Sequence, residues 1–468
     1  MFVDSHAHLT SDQFKEDREQ VIRRAIDAGM KYIVNPGTDL EDSRRAVELA
    51  EKHPEVYACV GFHPHEARKA DDTSLRAIEE LSNHPKVVAI GEIGLDFHYD
   101  FSPRDIQAEI FKAQIGIAQR RNLPIVIHTR ESNEETIRIV EGAMGGEPLW
   151  RSQMATPFSR FPAPKGVFHC FSGDTAMAWH VIRMGFFVSM PGVVTFKNPG
   201  FAAEVARDIS IEHLLLETDS PYLAPVPYRG KRNEPSHIPL IAKRIADLQH
   251  LSLDDVARTT NYNILKLFGI GEVEEPQIVY KLKNALYVNL TIRCNADCVF
   301  CDRKGEAVIK GHNLRINREP TVQEVIQAIG DPTRYEEVVF CGYGEPTIRL
   351  EALKKISRWA KSLGGRTRIN TDGHGSVINK RNIVPELAGL IDAVSISLNS
   401  TDPQQYGELM RLDGARFFPA MIDFAKEAVK FIPNVVMTIV DLNEVDREKA
   451  RRLVEEEIGA TFHARPYF

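Results

Sequence analysis

Residues 87–96 read Val-Val-Ala-Ile-Gly-Glu-Ile-Gly-Leu-Asp. The apolar run over residues 87–91 reads as a buried strand, and the carboxylate of Glu92 stands just past its C-terminal end. The same arrangement repeats in both directions along the chain. Candidate strands at residues 2–5, 32–35, 56–60, 125–128, 167–170 and 214–218 alternate with longer amphipathic stretches, as in repeated βα units around a parallel sheet. Polar or metal-binding residue types sit at or beyond many of their C-terminal ends, where loops from distant segments converge on one face of a β/α barrel. A TIM-like (β/α) barrel over residues 1–270 is the expected closure.

Gly269 to Lys283 contains Gly-Ile-Gly-Glu-Val-Glu-Glu-Pro before apolar alternation resumes, so residues 271–283 read as a linker. A second βα series follows, with strands expected at residues 285–291, 338–341, 366–371, 393–397, 435–439 and 460–464. Six such strands make a partial (β/α)6 barrel over residues 284–468, and the whole chain is α/β. Residues 142–165, rich in Gly, Pro, Ser and Phe and lacking periodicity, read as an insertion or long loop.

The 468 residues exceed one ordinary core, and a 43% hydrophobic and 26% charged composition is that of a folded soluble protein. A formal charge of −7 excludes a generally basic nucleic-acid binder while leaving room for a local positive patch. Neither a leader pattern after Met1 nor a membrane-length apolar run is read, and a cytoplasmic location without membrane attachment is expected. The six cysteines are Cys59, Cys170, Cys294, Cys298, Cys301 and Cys341. Three of them cluster within eight residues, which suits metal binding in a reducing compartment better than a disulfide framework.

His6 and His8 alternate along an extended segment, so both imidazoles can reach one ion. An isolated His-x-His is equally an ordinary strand end, but Glu92, His128, His169 and Asp219 bring further ligand types to later strand ends. Six such groups can hold two divalent ions, with a carboxylate such as Glu92 bridging a pair about 3.5–4 Å apart and a shared water activated between them. Zinc, manganese and magnesium all suit mixed imidazole and carboxylate ligation.

These residues stand within Gly-Phe-His63-Pro-His65, Gly-Glu92-Ile-Gly-Leu-Asp96, His128-Thr-Arg130, His169-Cys-Phe-Ser-Gly, Glu217-Thr-Asp219-Ser-Pro-Tyr and Arg229-Gly-Lys-Arg232-Asn-Glu-Pro. Together the segments resemble the TatD family of metal-dependent hydrolases over nearly all of residues 1–270. The resemblance implies that His6, His8, Glu92, His128, His169 and Asp219 are metal ligands. It also implies that Glu92, Asp219 and His63 serve catalysis, with His63 near a substrate phosphate, and that the activity is DNase-like and often exonucleolytic (3'-5'). Arg229 and Arg232 read either as a solvated turn or as a phosphate clamp at the site mouth. Residues 142–165 make this chain longer than the family pattern.

Cys294-Asn-Ala-Asp-Cys298-Val-Phe-Cys301 follows an apolar strand, so three thiols fall in one loop. Three thiolates can hold three irons of a 4Fe-4S cluster and leave the fourth iron open to an exogenous chelator. The alternative is a zinc knuckle completed by a residue such as His312. The triad resembles the radical S-adenosylmethionine (SAM) superfamily motif, and the fused arrangement looks like the TatD-linked radical SAM proteins. That resemblance implies one 4Fe-4S cluster, SAM, a 5'-deoxyadenosyl radical, and a reductase or flavodoxin-type electron donor. By the same resemblance Gly342, Gly344, Glu345, Thr371 and Asn399 contact SAM; for Thr371 and Asn399 strand-end turn chemistry is the other reading. The radical substrate has no signature in the sequence. DNA or another phosphoester is the expected substrate of the first half, and an amide or ester of a small modified metabolite is the competing one.

Overall fold

The computed structural model describes residues 1–99, 101–144, 150–151, 163–442 and 444–466. Two compact units divide the chain, Met1–Val273 and Glu274–Phe468.

In the first unit the strands are β1 (Phe2–Asp4), β2 (Met30–Pro36), β3 (Val56–Val60), β4 (Val87–Asp96), β5 (Ile125–Arg130), β6 (Gly166–Phe168), β7 (Phe186–Met190) and β8 (Leu214–Leu216). They pair in sequence order, all parallel, as an eight-stranded sheet. Closure between its first and last strands runs through Ser5 N to Leu216 O at 2.9 Å and an Ala7–Ser220 bridge. The expected barrel is thus present; its seventh strand, β7, was absent from the strands read in the sequence.

One face of each strand packs outward on the helices, and the other builds the barrel interior from Val3, Val34, Cys59, Ala89, Val126, Val167, Phe187 and Leu215. Below them the interior is sealed by Ile264, Leu267, Phe268 and Ile270. Those residues arrive on the helix Leu253–Phe268, which opens with a Ser252/Asp255 capping box and stops at Gly269, whose φ of +71° suits glycine. Side chains alternate along a strand, so the inward residue two places past Val126, Val167 and Leu215 is His128, His169 and Glu217. On β4 the register slips between Ile90 and Ile93, a bulge that re-aims Glu92.

Asp4 ties the barrel shut at this level, accepting from Thr218 N (3.0 Å), Thr218 Oγ1 (2.5 Å) and His6 N (3.2 Å) while fully buried. Asp4→Ala strands these donors, and the expected loss is about 3 kcal/mol or more of unfolding free energy. Urea denaturation of the two proteins measures it; an unchanged midpoint would refute the closure role.

Residues 145–149 and 152–162, most of the stretch read as an insertion, lie outside the described residues. At its borders the helix Asn133–Met144 runs into it, and Trp150 and Arg151 donate to the Leu123 and Leu267 carbonyls.

The second unit begins with β9 (Val279–Leu282) and β10 (Ala285–Val288), followed by a small hairpin, β11 (Val308–Ile309) and β12 (His312–Asn313). After these come β13 (Val338–Phe340), β14 (Thr367–Thr371), β15 (Ala393–Ser397), β16 (Asn434–Asp441) and β17 (Thr461–Pro466). Its main sheet has the order β17-β16-β15-β14-β13-β10-β9. All neighbours are parallel except β9, which pairs antiparallel with β10. The six parallel strands are those expected of a partial barrel, and β9 lies inside the stretch read as linker. Val288, Phe340, Ile369, Ile396 and Met437 bury the helix-facing side. Among the described residues no helix is long and apolar enough to cross a membrane.

Candidate functional sites

Glu92, 2% exposed, is the hub of the first site. Its Oε1 faces His169 Nε2 at 2.8 Å, His128 Nδ1 at 2.9 Å and His63 Nε2 at 3.4 Å. Its Oε2 faces His6 Nε2 at 3.3 Å and His8 Nε2 at 3.5 Å. Asp219 Oδ1 completes the second group, 3.5 Å from His8 and 3.9 Å from His6. One carboxylate therefore stands between two sets of nitrogen donors: four of the other five residues expected as ligands, with His63, face it directly, and the fifth, Asp219, joins through His6 and His8.

Burial penalises the imidazolium of His6 and of His63, pulling each down to about 4. The same burial acts on His8 and His128, but Asp219 with Glu92 for the first, and Asp96 with Glu92 for the second, outweigh it and raise both to about 9. Glu92 pays the desolvation penalty too, yet the imidazoles of His169, His63 and His6 hold its carboxyl well below the usual range.

The donor set fits divalent cations. His6 Nε2 meets His8 Nε2 at 3.2 Å, and His128 Nδ1 meets His169 Nε2 at 3.2 Å, so ring lone pairs converge where a cation would satisfy both. Glu92 Oε2 is buried without a hydrogen-bond partner. Among the described residues, three groups each bring their donor atoms within 4.8 Å of one another: His6, His8 and Glu92; His63, Glu92 and His128; and His6, His169 and Glu217.

Two carboxylates quoted in the sequence motifs but given no role there belong here. Asp96 Oδ2 lies 3.0 Å from both His128 Nε2 and His65 Nε2, fixing the two rings. Glu217, fully buried, accepts from Cys170 N and faces His169 Nδ1 at 3.7 Å, and burial raises its carboxyl to about 7. Its place two residues before Asp219 on one strand end was the available signal.

The basic turn is divided. Arg232 is committed to Asp17 (2.6 Å) and the Gln13 carbonyl (2.6 Å), over the Phe14 ring. Arg229 lies exposed with its guanidinium 3.7 Å from the Phe196 ring centroid.

In the second unit the cysteine loop is held on its neighbours by its backbone. Asp297 N and Val299 N donate to Met410 O (3.1 Å) and Leu409 O (2.9 Å), and Cys301 N donates to Cys298 O (3.0 Å). Cys298 Sγ lies 3.4 Å from Met410 Sδ, and Cys294 Sγ lies 4.0 Å from Asp372 Oδ2. Burial pushes the Cys294 thiol up and the Cys298 thiol up to about 12, so both need a cation to become thiolates. Three half-buried thiols on one loop suit an iron-sulfur cluster.

Gly344 faces the cysteine loop so closely that a Cβ there would lie 2.1 Å from Thr291 O; at Gly342 it would lie 2.5 Å from Asn289 Oδ1. Glu345 Oε1 accepts from Thr347 N (2.9 Å) and Thr371 Oγ1 (3.0 Å), and Oε2 accepts from Asp372 N (2.9 Å). Burial, with Asp372 nearby, raises its carboxyl to about 8. Asn399 donates to Met410 Sδ at 3.2 Å and leaves a buried Oδ1 without a partner. Not legible in the sequence are the contacts in which His374 bonds Asn295 Nδ2 (2.8 Å) and Tyr406 OH (2.7 Å). His312, the residue weighed as a zinc ligand, is bonded instead to Gln277 Oε1 and Lys281 O.

The fold and sites define a two-part metalloenzyme: a closed α/β barrel hydrolase with an imidazole and carboxylate centre, then an open barrel with a cysteine triad. The chain belongs to the TatD related DNase family, whose model matches residues 3–269, and the Radical SAM superfamily model matches residues 288–456. An uncharacterized metal-dependent hydrolase, YabD of Bacillus subtilis, is 42% identical over 273 residues, 58% of this chain and all of that protein. The 3'-5' ssDNA/RNA exonuclease TatD of Escherichia coli K12 is 35% identical over 273 residues, 57% of this chain and 99% of its own length. Among solved structures, the TatD homolog YjjV of E. coli K12 superposes with a TM-score of 0.52 at 28% identity, covering 58% of this chain and 98% of that one. Both families are enzymes.

Proposed function

We propose that the N-terminal barrel is a metal-dependent phosphodiesterase acting on nucleic-acid ends, in the 3'-5' direction, and that the C-terminal barrel is a radical SAM catalyst. The observation that carries the first half is Glu92, whose two oxygens each face a separate group of imidazoles at 2.8–3.5 Å. Its likeness to a protein named as a 3'-5' ssDNA/RNA exonuclease favours phosphodiesters over amides.

His6, His8 and Asp219 on one side, His128 and His169 on the other, and Glu92 between them would hold two divalent cations, zinc, manganese or magnesium. When bound, such a pair supplies Lewis-acid activation of water and neutralises charge on a phosphodiester. The chain's own residues do the rest. Asp96 fixes the rings of His128 and His65, and Glu217 backs His169. In this reading Asp219 would take a proton from the attacking water, while His63 would face the phosphate. Arg229, the more open of the two arginines of the basic turn, is the better candidate for guiding the strand.

Cys294, Cys298 and Cys301 would hold a 4Fe-4S cluster, and Gly342, Gly344, Glu345, Thr371 and Asn399 would line the SAM site. Together these supply, when bound, reductive cleavage of SAM to the 5'-deoxyadenosyl radical, with electrons from an external reductase or flavodoxin-type donor. Gly342 and Gly344 keep the strand end flush against the cysteine loop, and Glu345 ties it to Thr371.

The test is hydrolysis of a 3'-labelled single-stranded oligonucleotide before and after chelation. Activity should fall at least about a hundredfold with chelator and return with one of the three metals. Chelator-insensitive cleavage, or turnover of small amides with no cleavage of phosphodiesters, would remove the reading.

A further inference from the structure

The chain leaving β4 carries a row of rings for which the hydrolytic chemistry has no use. Tyr99 and Phe101 stack on each other, centroids 5.3 Å apart and planes 23° apart, yet they are 41% and 52% exposed. Both meet His65 edge-on, at 5.5 and 4.9 Å. His65 in turn is 4.4 Å from His63 and bonded to Asp96, so the rings continue the donor cluster outward onto the surface. At the end of β5 the exposed guanidinium of Arg130 lies 5.0 Å from the Tyr99 ring. It makes no ion pair with a described residue, and the adjacent Glu131 is taken by His98 at 2.6 Å. Across the mouth Tyr222, 53% exposed, lies 6.2 Å from His8.

Contiguous exposed rings beside a polar site form an apolar patch of the kind that marks a binding surface. A ring pair open to solvent beside an exposed guanidinium, unpaired among the described residues, matches one strand of nucleic acid, with a base on the rings and a phosphate on the cation. A duplex keeps its base faces stacked inward and cannot use such a surface. The chain's formal charge of −7 gives it no broad basic field, so stacking must supply much of the grip.

We propose that Tyr99, Phe101 and Arg130 form a stacking subsite that holds a nucleobase of single-stranded nucleic acid beside the donor cluster and selects unpaired ends over duplex. The subsite rests on the phosphodiesterase reading.

The experiment compares kcat/KM on a single-stranded oligonucleotide with kcat/KM on bis(p-nitrophenyl) phosphate, a phosphodiester reporter that carries no nucleobase. In the Tyr99→Ala/Phe101→Ala protein the ratio of the two should fall about tenfold or more, through KM. The ring-conserving Tyr99→Phe/Phe101→Tyr protein should keep the wild-type ratio. A ratio within twofold of wild type in the alanine protein would overturn the subsite, as would equal use of single strand and duplex by the wild type. Wild-type protein that hydrolyses the reporter but no oligonucleotide would also overturn it, leaving the hydrolase standing. Hydrolysis of neither would fail the phosphodiesterase reading itself.

Discussion

Glu92→Ala is expected to lower phosphodiester hydrolysis by at least on the order of a thousandfold, the largest effect of any single change in the first barrel. Every nitrogen donor near this carboxylate is arranged around it, with His169 and His128 closest to Oε1 and His6 closest to Oε2. Removing it deletes the one group shared by both halves of the centre and leaves five imidazoles without the carboxylate they all face. Bound metal should fall along with activity, read by elemental analysis of the purified variant against wild type. Glu92→Gln separates charge from shape, since it fills the same volume and still loses the anion; it should remain nearly as inactive. Asp96→Asn offers a graded control, because it weakens the hold on His128 and His65 and leaves every atom of Glu92 in place, and a loss of about 10–100-fold is expected. Wild-type metal content and turnover in Glu92→Ala, with a normal circular dichroism spectrum, would remove the centre from the mechanism.

What the sequence disclosed follows from which signals are local. Alternation along one strand is local, so His128 and His169 are legible as inward-facing residues past Val126 and Val167, and the convergence on Glu92 follows once a barrel is assumed. Strand β7, Phe-Phe-Val-Ser-Met, lies between Gly185 and Pro191-Gly192 but ends on no ligand type, the feature that marked the others. Strand β9 is a short polar alternation, Val-Tyr-Lys-Leu, that follows a Gly- and Glu-rich run and so reads as linker until its pairing with β10 is known. Partners distant in sequence were hidden for a different reason. The fate of Arg232 depends on Asp17, 215 residues away, and the ordering of His128 depends on Asp96, 32 residues before it. Neither pairing leaves a trace in spacing. The Met410 and Tyr406 contacts around the cysteine loop are likewise made by the fold alone.

Cys298→Ala should abolish 5'-deoxyadenosine formation from SAM under anaerobic reduction, a loss of at least about a hundredfold, and strip the C-terminal unit of most iron and sulfide. This substitution tests ligation more cleanly than most, because the loop does not depend on the thiol for its position. Its neighbours Asp297 and Val299 are bonded through their backbone to Met410 and Leu409, and Arg303 braces the turn through the Ala296 carbonyl at 2.9 Å. Trimming Cys298 to alanine leaves all of these in place and removes only a sulfur. Burial pushes the Cys294 and Cys298 thiols up, so a bound cation favours their thiolates. With two thiols remaining, the cluster loses a corner and the remaining pair has less reason to ionise. Cys341→Ala supplies the contrast: its thiol stands at the end of β13 outside the loop, and iron content should persist. Iron retained in Cys298→Ala and lost in Cys341→Ala would transfer the cluster to a different set of ligands and end the assignment of the triad.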